Sequence, residues 1–78
     1  MVKSGSIEAA VRDAIERAVG RPVQPSEELV RDLGLDSLTL TSLAVELEDA
    51  FRVRLDGSQP RTVEDVSRLV ALRLEESP

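Results

Sequence analysis

Three stretches of the chain repeat apolar residues at helical spacing. In the first, Ile7, Val11, Ala14, Ile15, Ala18 and Val19 fall on one face when each residue turns about 100°. Ser6 stands where an N-cap belongs, Gly20 where a helix stops and Pro22 just beyond, which predicts a helix over residues 7–19. In the second stretch Leu40, Leu43, Ala44, Leu47 and Phe51 share a face, predicting a helix that starts at Asp36 or Ser37 and ends at Phe51. The third opens on Thr62, with Asp65 following as the far half of a capping box in which Asp replaces Glu. It predicts a helix over 63–74 that buries Val63, Val66, Leu69 and Val70.

The connections read differently. "GRPVQPSEE" holds two prolines and one glycine and must be loop. Val23 dips toward the core, Ser26 is placed to cap a short turn through Leu29, and Leu33 and Leu35 anchor the loop's end around Gly34. After Phe51, "RVRL" alternates, so Val53 and Leu55 point inward while Arg52 and Arg54 stay in water. "DGSQP" is turn-rich, and residues 56–61 form at most one helical turn. The pattern predicts an all-α bundle of three main helices, with or without a short extra one, and a long loop after the first. Its core is expected from Val11, Ile15, Leu40, Leu43, Leu47, Phe51, Val66, Leu69 and Val70. Phe51, the only aromatic residue, is expected to cost about 3–5 kcal/mol when cut to Ala.

The 78 residues suit one small domain, read as residues 6–75, with a loosely ordered start at 1–5 and a tail at 76–78. Cysteine and histidine are both absent, which removes disulfides and ordinary zinc sites and leaves regular helix packing as the support. The formal net charge of −5 argues against nucleic acid, because phosphate backbones are repelled. No apolar run approaches the roughly 20 residues of a membrane span, and no signal-peptide pattern opens the chain. A cytoplasmic, monomeric domain is expected.

Candidate chemistry is confined to "GLDSL". A serine nucleophile needs a base. Histidine is missing, as are G-x-S-x-G, Ser-x-x-Lys spacing and any Gly-rich phosphate loop. Self-sufficient catalysis is therefore excluded as a working idea. Asp36 and Ser37 suit a helix N-terminus, where their oxygens meet orphan N–H groups. An attached phosphate is also electrostatically welcome there, although position alone does not select it over a plain cap.

The stretch "DLGLDSLTLTSLAVELEDAF" resembles the signature of the acyl carrier proteins, an Asp-Ser-Leu opening a recognition helix after an L-G-x loop. The likeness extends over nearly the whole chain, through the proline-containing loop and the "TVEDV" of the last helix. It implies a carrier and not an enzyme, with 4′-phosphopantetheine from coenzyme A attached to Ser37 beside Asp36 by a magnesium-dependent phosphopantetheinyl transferase. Acyl groups then travel as thioesters among acyl-loading, condensing and acyl-processing enzymes of fatty-acid, polyketide or related secondary metabolism. "GLD" favours this branch over peptidyl or aryl carriers of nonribosomal assembly, where Gly-Gly more often precedes the modified residue. The rival from another class is an unmodified helical interaction module with Ser37 as a cap.

Two departures stand out. Thr39, Thr41 and Ser42 occupy places that are often acidic in fatty-acid-synthesis carriers, and "RVRLDGSQPR" is short for the loop that usually holds a third helix. A specialised pathway is thereby at least as well supported as a housekeeping one. On the helical wheel the core stripe centres about 190° from Leu38, which leaves Leu38 and Val45 in water, bracketed by Thr41, Ser42 and Asp49. That face is the expected partner surface, with Glu46, Glu48 and Asp49 meeting a basic rim.

Overall fold

A computed structural model of the protein describes residues 4–55 and 57–76. The expectations for residues 1–3, 56, 77 and 78 lie outside the described residues. Three helices form, α1 (Ser4–Val19), α2 (Ser37–Phe51) and α3 (Val63–Glu76), with no strand among the described residues beyond a single antiparallel bridge between Glu28 and Thr62. The extra short helix does not form among residues 53–55 and 57–61.

The first helix begins earlier than predicted, so Ser6 lies inside its first turn and is not its cap. Serine is only mildly unfavourable within a helix, and the apolar stripe does not mark where the first turn starts. The stripe itself is as expected at Ile7, Val11, Ala14 and Ile15, all buried, whereas Ala18 is exposed.

Both α1 and α2 stop by the same device. Gly20 (φ 79°) and Arg52 (φ 57°) take the left-handed conformation directly after the last helical residue. Their N–H groups donate to the carbonyls of Glu16 and Glu48, closing the helix. In each case the same glutamate reaches past the turn with its side chain. The Glu16 carboxylate accepts from the Val23 N–H at 2.9 Å and the Glu48 carboxylate from the Leu55 N–H at 2.7 Å. Val23 and Leu55 are buried, and an unmet N–H at such a place is costly. Each glutamate thus turns the chain and pins an apolar residue into the core.

The helices pack unequally: α1 lies most fully against α3, less on α2, and α2 touches α3 least. The long loop fills the difference. Its Val23, Leu29 and Leu35 are buried alongside Leu43, Leu47, Val53, Leu55, Val63, Val66 and Val70. Leu40, Phe51 and Leu69 are half-buried at the margin of this cluster, so the predicted core shifts away from them and toward the loops.

The loop is held on the first turn of α3. Val63 N–H donates to the Glu27 carbonyl (3.1 Å), Glu64 N–H to the Pro25 carbonyl (2.9 Å), and Leu29 N–H to the Arg61 carbonyl (2.9 Å). The capping box is complete: Asp65 N–H donates to Thr62 Oγ1 (3.0 Å) and Thr62 N–H to Asp65 Oδ2 (3.2 Å). Ser26 caps nothing in the described structure. The adjacent Glu27 accepts from the Gln24 N–H (2.7 Å), and Asp32 accepts from the Glu28 N–H (2.7 Å). On the other side, the Ser58 hydroxyl accepts from Arg73 at 2.9 Å, tying the second connection to α3.

Candidate functional site

Ser37 is the first residue of α2, and its place is fixed from both directions. Upstream, Gly34 sits at φ 68°, a conformation open to glycine at little cost. Its N–H donates to the Val30 carbonyl (3.1 Å) and that of Leu35 to the Leu29 carbonyl (3.0 Å). Leu35 is buried, so the chain is anchored two residues before the serine. Downstream, Leu43 and Leu47 hold α2 against the core.

Asp36 is the N-cap, with extended backbone and its Oδ1 accepting from the Thr39 N–H at 2.8 Å. Its carbonyl accepts from Leu40 N–H at 2.9 Å. The Thr39 backbone N–H, helped by the Thr39 hydroxyl, holds the Asp36 carboxyl below the ordinary carboxylate range. This carboxylate is therefore ionised and engaged with Thr39, an arrangement poorly suited to taking a proton from Ser37. Ser37 itself is exposed. Its carbonyl accepts from Thr41 Oγ1 at 2.9 Å, which ties the first turn to the second. The Asp36 side chain takes the Thr39 donor, so the first-turn N–H groups of Ser37 and Leu38 stay at the open, positive end of the helix.

The outward face of α2 is as the wheel predicts. Leu38 is 76% exposed and Val45 51%, with Thr41, Ser42 and Asp49 also exposed. Glu46 is exposed as well and Glu48 is half-buried, and each has a partner within the chain. Glu46 Oε2 lies 3.1 Å from Arg17 Nη2 of α1, and the same guanidinium approaches Asp13 at 3.7 Å. Glu48 is half-buried and bonded to the Leu55 N–H. Sequence periodicity offered no sign of Arg17, which is 29 positions from its partner. The Glu48 contact repeats that of Glu16: a glutamate four residues before a left-handed residue and seven before a buried apolar one.

Residues 9–71 match the family model described as the phosphopantetheine attachment site. The chain is 32% identical over 83 residues to the meromycolate extension acyl carrier protein of Mycobacterium leprae, covering 99% of this chain and 72% of that protein. It is 35% identical over 76 residues to the protein of the same name from Mycolicibacterium smegmatis, covering 90% and 77%. It is 34% identical over 61 residues to an acyl carrier protein of Nitratidesulfovibrio vulgaris, covering 74% and 80%.

Proposed function

The chain belongs to the acyl carrier protein family, marked by its phosphopantetheine attachment site, and on that premise we propose that Ser37 is the residue that takes up 4′-phosphopantetheine. One observation carries the assignment: Ser37 is an exposed hydroxyl at the first position of α2, next to a carboxylate already engaged as cap. The family's carriers are not themselves catalytic.

The residues present suit the group. The Ser37 and Leu38 N–H groups and the positive end of the α2 dipole favour a phosphate diester at Ser37 Oγ. The attached arm supplies the thiol that this cysteine-free chain lacks, and acyl groups ride on it as thioesters. Every other task falls to the chain's own residues. Asp36 caps the helix and is unsuited to act as base, so the phosphopantetheinyl transferase must remove the Ser37 proton. Leu35 and the Thr41 hydroxyl hold the serine on a fixed rim as partners come and go.

The partners are that transferase and the acyl-loading, condensing and acyl-processing enzymes of a fatty-acid, polyketide or related pathway. They meet a cytoplasmic monomer on the α2 face that includes Leu38, Thr41, Ser42 and Val45. Relatives named for acyl carriage support the acyl branch over a peptidyl or aryl one. No helix among the described residues is long and apolar enough to cross a membrane. The test is intact mass after incubation with coenzyme A, magnesium and a broad-specificity transferase. Wild type gains one phosphopantetheine and Ser37→Ala gains none while keeping its helical circular dichroism. Loading of Ser37→Ala sinks the assignment.

A further inference from the structure

The first nine residues of α2, about two and a half turns, carry no ionisable group: "SLTLTSLAV" runs from Ser37 to the residue before Glu46. At a rise of 1.5 Å per residue, the first charge on this helix lies about 14 Å along the axis from Ser37. The acids from there on are Glu46 and Asp49, both exposed, and Glu48, which is half-buried. Glu46 is paired with Arg17 at 3.1 Å, and Glu48 accepts the Leu55 N–H. Asp36, on the other side of Ser37, holds the Thr39 N–H. Of the acids on α2, Asp49 alone has no partner among the described residues, and it lies about 18 Å along the axis from the serine, less than one turn beyond Glu46.

What the exposed face does offer is uncharged and regularly spaced. Leu38, Thr41, Ser42 and Val45 stand at i, i+3, i+4 and i+7, the anchor pattern of a helix that lies in a groove. Leu38 and Val45 are large and well exposed. Between them, Thr41 directs its hydroxyl to the Ser37 carbonyl, leaving its methyl for contact. Scattered exposed apolar residues are ordinary. Two on one uncharged stripe beside an attachment serine are a different matter.

We propose that this stripe docks into an uncharged, apolar groove on partner enzymes and that a basic rim contributes little to recognition. The proposal rests on Ser37 being the attachment site, since partners must approach the same end of α2. It also names a selectivity: enzymes that grip carriers mainly through arginine or lysine are poor partners for this chain, and enzymes with an apolar cleft beside their active site are good ones. Contact of this kind is little weakened by salt, unlike association between exposed charges.

The experiment measures kcat/KM for loading by a phosphopantetheinyl transferase, followed by intact mass, at about 50 and 500 mM KCl. Val45→Thr keeps the shape of the residue and replaces one methyl by a hydroxyl; Leu38→Ala is the independent second variant. Each is expected to lower kcat/KM about fivefold or more, mainly through KM, at both salt concentrations. Asp49→Asn and Glu46→Gln are expected to stay within about twofold of wild type at each salt. The proposal is overturned if the two acid variants lose about fivefold while Val45→Thr and Leu38→Ala load normally. Loading of Ser37→Ala, or none in wild type, overturns instead the attachment site on which the proposal stands. Circular dichroism of each variant separates lost docking from lost folding.

Discussion

Glu48 lies on the recognition helix, yet its bonds make it a structural residue. Its carboxylate accepts the Leu55 N–H at 2.7 Å, and its carbonyl receives the N–H groups of Arg52 and Val53. Replacing Glu48 by Ala leaves the carbonyl but removes the side-chain acceptor, stranding the N–H of a buried leucine. A hydrogen bond to a charged acceptor contributes about 1.5–3 kcal/mol, and orphaning the donor costs a similar amount. Partial exposure of the carboxylate and the better helix propensity of alanine both trim the loss. We therefore expect about 2 kcal/mol, or about 10 °C in Tm. That is a large share of the roughly 4–12 kcal/mol available to a domain of this size. Glu48→Gln keeps an acceptor and should lose less than about 1 kcal/mol. Urea unfolding followed by circular dichroism reads both, and transferase loading of the folded variants should remain within about twofold of wild type. A Glu48→Ala protein within about 0.5 kcal/mol of wild type would refute the structural role. So would a loss of loading with stability intact, which would return Glu48 to the docking surface.

Phe51 is half-buried, so Phe51→Ala should cost about 2 kcal/mol, below the 3–5 of a fully enclosed ring, and urea midpoints distinguish the two. Arg52 holds a left-handed conformation at φ 57°; Arg52→Gly should raise stability by about 0.5–1 kcal/mol, and a lower Tm would contradict that. The carboxyls of Asp36, Asp65 and Glu27 are all held below their ordinary range. Thr39 N–H is the chief cause for the first, Thr62 N–H for the second and the Arg21 guanidinium for the third. Each stabilises the fold while ionised, so their contribution is full above the ordinary carboxylate range and is lost as pH falls through and below it. Melting temperature should hold from about pH 7 to 5 and drop toward pH 3, less steeply in Asp65→Asn; an equal drop in that variant would remove the capping box as a source.

What the sequence made legible was local. The Asp36 cap and the Thr62–Asp65 box depend on residues within one turn of each other, and the structure forms both. Leu38 and Val45 could be placed in water from angular position alone. The contacts that eluded prediction join distant segments. Arg17 draws Glu46 toward α1 across 29 positions, and no periodicity encodes that. Leu40, Phe51 and Leu69 were expected in the core from their places on the apolar faces of α2 and α3. Instead those two helices touch least, and Leu29 fills the interior beside Leu35 and Val53, whose anchoring and inward placement the loop pattern did announce. Arg52 shows a different difficulty: a left-handed stop is announced by glycine at residue 20, but at residue 52 an arginine holds it, with its N–H and that of Val53 donating to the Glu48 carbonyl.

The central claim concerns a single oxygen atom, and peptide mapping of the loaded protein tests it most directly. Cleavage after Arg31 and Arg52 releases residues 32–52, which contain the hydroxyls of Ser37, Thr39, Thr41 and Ser42. Fragmentation of that peptide after transferase treatment should find one phosphopantetheine, on Ser37, with the three other hydroxyls unmodified. Modification at Thr39, Thr41 or Ser42, or on any peptide outside residues 32–52, would contradict the account.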